Sequence, residues 1–148
     1  MAAPTRGPEE LLSIGAAAAL SGVSERALRY YQELGLITPC ARTQGGMRRY
    51  SAEDLARVAR IRELQNLLGL NLDEIAVVLR NDDRLAQIKA AYHDERTGAE
   101  ERAALARECL ELLEQLRNTV ETKRVALDTF QADVDARLAR VRAVLGSE

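Results

Sequence analysis

Gly22-Val23-Ser24-Glu25-Arg26-Ala27-Leu28-Arg29-Tyr30-Tyr31-Gln32-Glu33-Leu34-Gly35 is the stretch on which the fold turns. Gly22 suits the left-handed conformation that closes one helix, and Ser24 suits the N-cap of the next. A helix is therefore expected from Glu25 to about Leu34, with Leu28 and Tyr31 three residues apart on one face and Gly35 ending it. Upstream, Ile14 to Leu20 is an apolar, Ala-rich run that reads as a shorter helix, entered from an extended start at Leu11 to Ser13. Two short helices across a tight Gly-containing turn make the helix-turn-helix pattern, in which the second helix enters the major groove of DNA. Here that helix carries Arg26, Arg29 and Tyr30. Many helical pairs share such a turn, so the flanking sequence has to decide.

Leu36-Ile37-Thr38 and Met47 to Tyr50 read as two short strands around a loop turned by Gly45-Gly46. Arg42 precedes the turn, and Arg48 and Arg49 follow it. A hairpin with basic residues on both flanks is a wing that can lie on the phosphate backbone. One of Arg48 and Arg49 is expected to meet phosphate and the other to pair with an acid of the next helix. That helix opens at Ser51, a good N-cap, with Glu53 and Asp54 at its positive end. Leu55, Val58, Ile61, Leu64 and Leu68 form its apolar face, and Gly69 closes it. Arg57, Arg60 and Arg62 read as its solvated face. A fourth helix begins at Asn71 or Asp73 with Leu72, Ile75, Ala76 and Leu79 inward; Asn81-Asp82-Asp83 reads as a break, followed by a short helix ending near Thr97-Gly98.

From Ala99 to Leu145 there is neither Pro nor Gly. Apolar residues recur at intervals of three and four: Leu105, Cys109, Leu112, Leu116, then Leu127, Phe130, Val134, Leu138, Val141 and Leu145, with the register interrupted near Thr119 and Lys123. A helix of that length spans about 70 Å at about 1.5 Å per residue, more than a small head can cover. A partner chain is the simplest cover, so a homodimer is expected, with Leu105, Cys109, Leu112 and Leu116 in its seam.

The chain has 148 residues, 30% charged and 47% hydrophobic, which bounds it to one modest globular domain, or a small one with an extension. No apolar run approaches the roughly 20 residues of a membrane span, and the first ten residues lack the apolar core of a secretory signal. A cytoplasmic location is expected. Net charge is −2, yet its distribution is uneven. Ser24 to Arg62 holds eight arginines against four acids, whereas Asn71 to the end holds twelve basic residues against sixteen acids. That asymmetry suits a head that meets phosphate and an extension that does not. Two distant cysteines and a single histidine provide neither a zinc spacing nor a His-based triad, so no metal, no cofactor and no enzymatic activity are expected. Cys109 on an apolar stripe reads as packing, Cys40 as structural or incidental, and His93 as a surface or interface residue, since its neighbours Asp94 and Glu95 point elsewhere.

Taken together, Ile14-Gly15, Gly22-Val23-Ser24, Leu28-Arg29-Tyr30-Tyr31, Gly35-Leu36-Ile37, Arg42, Gly46, Arg48-Arg49-Tyr50, Leu55, Leu68-Gly69-Leu70 and Leu72-Asp73-Glu74-Ile75 resemble the MerR family of bacterial transcription regulators over residues 11 to 80. Met47 departs from the pattern, in which an aromatic usually precedes Arg-Arg-Tyr. The resemblance implies a mainly α fold: a winged helix-turn-helix head with a small β-hairpin wing (residues 11–80), a linker with a short helix (81–98), and a dimerisation helix forming an antiparallel coiled coil (99–146). It also implies a pseudo-palindromic promoter operator, distorted so that RNA polymerase can engage both promoter elements. The family's DNA contacts carry over onto Arg26, Arg29 and Tyr30 in the second helix and Arg42 and Arg48 in the wing, with Arg49 beside them; Tyr31 falls to the core. The expected partners are double-stranded promoter DNA, a second copy and RNA polymerase, and no residue points to a particular effector. Two other readings share these features: an architectural or excisionase-like DNA-binding protein without an effector, and a coiled-coil adaptor whose head binds protein, against which the clustered arginines speak.

Overall fold

The computed structural model describes residues 10–39 and 41–146, so the readings of Cys40 and of the first nine residues lie outside the described residues. The elements run β1 (Leu12–Ser13), α1 (Ile14–Ser21), α2 (Glu25–Glu33), β2 (Ala41–Arg42), β3 (Arg48–Tyr50), α3 (Ala52–Leu68), α4 (Leu72–Tyr92) and α5 (Ala99–Leu145). Two compact units divide between Leu79 and Arg80, with α4 running through the division. No helix among the described residues is long and apolar enough to cross a membrane.

In the first unit every helix start is a side-chain cap. Ser13 Oγ accepts from Ala16 N, Ser24 Oγ from Ala27 N, and Ser51 and Asp54 exchange hydrogen bonds in a capping box. Asn71 and Glu74 do the same for α4, which places its cap at Asn71. The core between these helices is Ala17, Leu28, Tyr31, Tyr50, Val58, Ile61, Leu64 and Ile75, all buried. Tyr31 also donates to Gln65 Oε1 at 3.3 Å, tying α2 to α3. The sheet is antiparallel in the order β1-β3-β2, with Leu12 opposite Tyr50, Ser13 and Ala41 opposite Arg49, and Arg42 opposite Arg48.

Leu36-Ile37-Thr38 is not a strand; the wing's first strand is Ala41–Arg42. Leu36 and Ile37 are both buried, so the side-to-side alternation of a half-exposed strand is absent. The backbone of Leu36 is also already engaged: its N–H donates to the Tyr31 carbonyl, and its carbonyl accepts from Arg57 Nε. The solvated reading of Arg57 and Arg62 is corrected in the same way. Arg62 Nη1 donates to the Ser21 carbonyl at 2.9 Å, satisfying an orphan acceptor at the end of α1. Only Arg60 of the three behaves as expected, pairing along the surface with Glu63.

Gly22 has φ +65°, and a Cβ there would stand 2.8 Å from Arg62 Nη1. Gly22→Ala therefore combines left-handed backbone strain with displacement of the Arg62 staple, and is expected to cost about 1–3 kcal/mol. The shift of the urea midpoint against wild type measures it, with Arg62→Ala alone losing less.

In the second unit, the expected break at Asn81-Asp82-Asp83 does not occur, since α4 is one helix of 21 residues. Asn81 spends its amide on Gln115 Oε1, and Arg84 grips both oxygens of Glu108. The Asn81 amide, engaged outward, is kept from competing for its own backbone, which is how Asn ordinarily stops a helix. Rising numbers on α4 meet falling numbers on α5 at Asn81–Gln115 and Arg84–Glu108, and Arg102 of α5 donates to the Asp94 carbonyl in the turn between them, so the two helices form an antiparallel hairpin. His93 donates from Nδ1 to the Lys89 carbonyl and closes α4. The 47 residues of α5 are continuous through Thr119 and Lys123; Thr119, Thr122 and Thr129 return their hydroxyls to carbonyls four residues back.

Candidate nucleic-acid interface

Helix α2 buries Leu28 and Tyr31, and that choice of inner face dictates the outer one. Arg26, Arg29, Tyr30 and Glu33 point to solvent and, with Ser24 and Ala27, line a shallow cleft. Arg29 also lines a second cleft, whose other walls are Ser13 and Ile14 at the start of α1 and Gly46, Met47, Arg48 and Arg49 of the wing. Arg48 continues into a third with Arg42, Gln32, Glu33, Ile37, Thr38 and Pro39. Shared residues thus join all six sequence-predicted positions, Arg26, Arg29, Tyr30, Arg42, Arg48 and Arg49, into one continuous surface running from α2 across the wing.

The electrostatics of that surface are unfavourable by themselves. Arg42 lies directly opposite Arg48 on neighbouring strands, and like charges in that position destabilise a sheet. A polyanion laid over the wing removes the penalty. Beneath the arginines, Tyr50 is fully buried. Burial pushes its phenol pKa up, opposed by the charge of Arg48, by the neighbouring Gln32 side chain and by Arg29, so it remains a neutral support for the wing. Met47, in the position where an aromatic was looked for, is exposed and lines the cleft with Arg29. Sequence reasoning missed Ser13 and Ile14 in that cleft, because only the pairing of β1 with β3 brings the start of α1 to the wing.

Leu105, Cys109, Leu112 and Leu116 are half buried. They share the side of α5 from which Glu108 and Gln115 reach α4 of the same chain. Cys109 lines an apolar groove there with Leu85, Ile88, Tyr92, Ala106 and Leu113, beside Lys89 and His93. Farther along, Leu127, Phe130, Val134, Leu138, Val141 and Leu145 are exposed at the same three- and four-residue intervals.

A family model described as MerR HTH family regulatory protein matches residues 12–82. Residues 12–82, just under half of the chain, are thus a MerR-type HTH domain. Among curated relatives, the chain is 42% identical over 74 residues to the mercuric resistance operon regulatory protein of Shigella flexneri, covering 50% of this chain and 51% of that one. It is 32% identical over 83 residues to the HTH-type transcriptional regulator YfmP of Bacillus subtilis, covering 56% and 59%. The chain therefore spans little more than half the length of these relatives. Among solved structures, HiNmlR, described as a MerR family regulator lacking the sensor domain, bound to promoter DNA, shares 25% identity at a TM-score of 0.52, over 88% of this chain and 89% of that one. A MerR family regulator from Listeria monocytogenes shares 26% identity at a TM-score of 0.50, over 92% and 95%. The winged helix-turn-helix head followed by a long C-terminal helix is thus a MerR-type architecture.

Proposed function

We propose that this protein is a dimeric, sequence-specific transcription regulator, not an enzyme, which binds a pseudo-palindromic promoter operator and distorts it to control transcription. The observation that carries the reading is the joined arginine surface, with Arg42 set against Arg48 where an anionic partner relieves the repulsion. Helix α2 presents Arg26, Arg29 and Tyr30 to the major groove, and the wing lays Arg42 and one of the neighbouring Arg48 and Arg49 on the backbone, the other pairing with an acid of α3. The HiNmlR complex supports a promoter-DNA partner. RNA polymerase is the downstream partner and the cytoplasm the compartment that this role requires. In the proposed division, residues 11–80 bind DNA and 99–146 hold the dimer.

Selection of bound sequences from a random DNA pool tests the reading. An enriched inverted repeat is the expected result; binding without any enriched sequence would overturn it in favour of an architectural protein. On the selected operator, Arg29→Ala is expected to weaken binding by about 1–3 kcal/mol if the guanidinium reads a base. Arg42→Ala is expected to lower affinity for all sequences alike and to reduce the slope of log K against log salt by about 1. Filter binding or anisotropy at several salt concentrations separates the two.

A further inference from the structure

Glu25 occupies the first turn of α2, next to a surface rich in arginine, and its two carboxylate oxygens have different neighbours. Oε2 accepts from Arg29 Nη2 at 3.1 Å. Oε1 rests over Gly15 in the first turn of α1, close enough that a Cβ on Gly15 would lie 3.3 Å from it. The positive end of α1 favours a carboxylate there. Glu25 thus lies beside the first turn of α1 on one side and pairs with Arg29 on the other. Arg29 is the residue that lines both the outer cleft of α2 and the cleft against the wing.

An exposed i,i+4 pair contributes little to stability, and both partners here are about half exposed, with side-chain exposures of 48% and 47%. Its consequence for recognition is larger. A free guanidinium between a helix and a wing can bind whichever anion or acceptor arrives first, and on DNA the commonest is a phosphate. A phosphate approaching Arg29 also meets the Glu25 carboxylate, well inside the roughly 8–10 Å screening distance of physiological salt. A base edge carries no net charge and meets no such repulsion. One N–H of Arg29 Nη2 is given to Glu25, and the remaining N–H groups keep the fork geometry that suits guanine O6 and N7.

We infer that Glu25 is a specificity-determining positioning residue, which fixes Arg29 toward a base edge and bars it from the phosphate backbone. This rests on the proposed DNA-binding function and deepens it. It makes Arg29 a base reader, and places the discrimination in an acid that no alignment of basic residues would pick out.

Glu25→Gln keeps the size and removes the charge. Glu25→Asp keeps a charge at the helix start but shortens the side chain, withdrawing it from Arg29. Affinities of both variants and wild type are measured for the selected operator and for a scrambled duplex of equal length, with thermal melting confirming folded protein. Both variants are expected to lower the operator-to-scrambled ratio by about tenfold, the scale of one bidentate base contact. Glu25→Gln should in addition bind the scrambled duplex severalfold more tightly, with a steeper salt dependence. Equal shifts on both duplexes would mean a general charge effect and overturn the inference, as would an unchanged ratio. A normal ratio in Glu25→Asp would show that charge alone suffices and overturn the positioning role. Absence of any operator preference in wild type would instead overturn the function on which the inference stands.

Discussion

Ile61→Ala will lower the stability of the DNA-binding head by about 2–5 kcal/mol. Ile61 is fully buried at the middle of α3, the helix that packs on α1 and on β3 of the wing. Deleting its outer carbons loses their transfer free energy and leaves a cavity that α1, α3 and the sheet cannot collapse without moving the capped helix ends. A domain of this size has only about 5–15 kcal/mol in total, so the loss is a large fraction of it. Urea denaturation followed by circular dichroism measures it, and the slope should be unchanged if the unfolded state is unaltered. DNA binding should fall in proportion to the unfolded fraction and return at low temperature or with excess protein. Arg29→Ala should behave in the opposite way, with a normal denaturation midpoint and weak operator binding. An Ile61→Ala protein as stable as wild type would mean that α3 does not organise the head as described.

What could be read in advance and what could not has a physical division. Ser24, Ser51, Gly22 and Gly69 announced the helix ends because a cap is local chemistry, decided within three or four residues. The face of α3 was legible for the same reason: Val58, Ile61 and Leu64 repeat at helical spacing and are buried. Each failure involves at least one group distant in sequence. Leu36 and Ile37 have strand-like character, but Tyr31 and Arg57 take the backbone of Leu36. Asn81-Asp82-Asp83 has the composition of a helix stop, yet the partners of Asn81 and of the adjacent Arg84 lie 34 and 24 residues away on α5. Arg62 differs from Arg60 only in that the Ser21 carbonyl lies within its reach. The basic positions of the interface were visible as residue types, but their union into one surface required the register of β1, β2 and β3. Glu25 was visible only as one acid subtracted from a positive count.

Val134→Lys combined with Leu138→Lys will convert the protein to a monomer and lower operator affinity by at least about 100-fold. The stripe from Leu127 to Leu145 holds six apolar residues, with Leu127 and Phe130 each 68% exposed, and exposed apolar patches of this kind mark interaction surfaces. A second copy is the occupant proposed for it, because a seam repeating every three and four residues fits another seam of the same kind. Burial of each such side chain contributes about 1.5–3 kcal/mol. Six from each copy are enough to exceed the roughly 4–15 kcal/mol that association costs. Two lysines per chain in the middle of that seam place four charges in an apolar stripe. Leu112→Lys is a less clean probe, since Leu112 lies half buried on the side of α5 that meets α4, and charge there disturbs the protomer as well as the dimer. The effect on DNA follows from geometry: two linked heads bind two half-sites with the second at high effective concentration, an advantage of about 10²–10⁴ that a monomer forfeits. Sedimentation velocity reads the first expectation and operator titration the second. A double variant that still sediments as a dimer would place the seam elsewhere, with Leu105 to Leu116 next in line. A monomer that binds the operator as tightly as wild type would show that one head suffices, and would remove the reason for an inverted repeat in the operator.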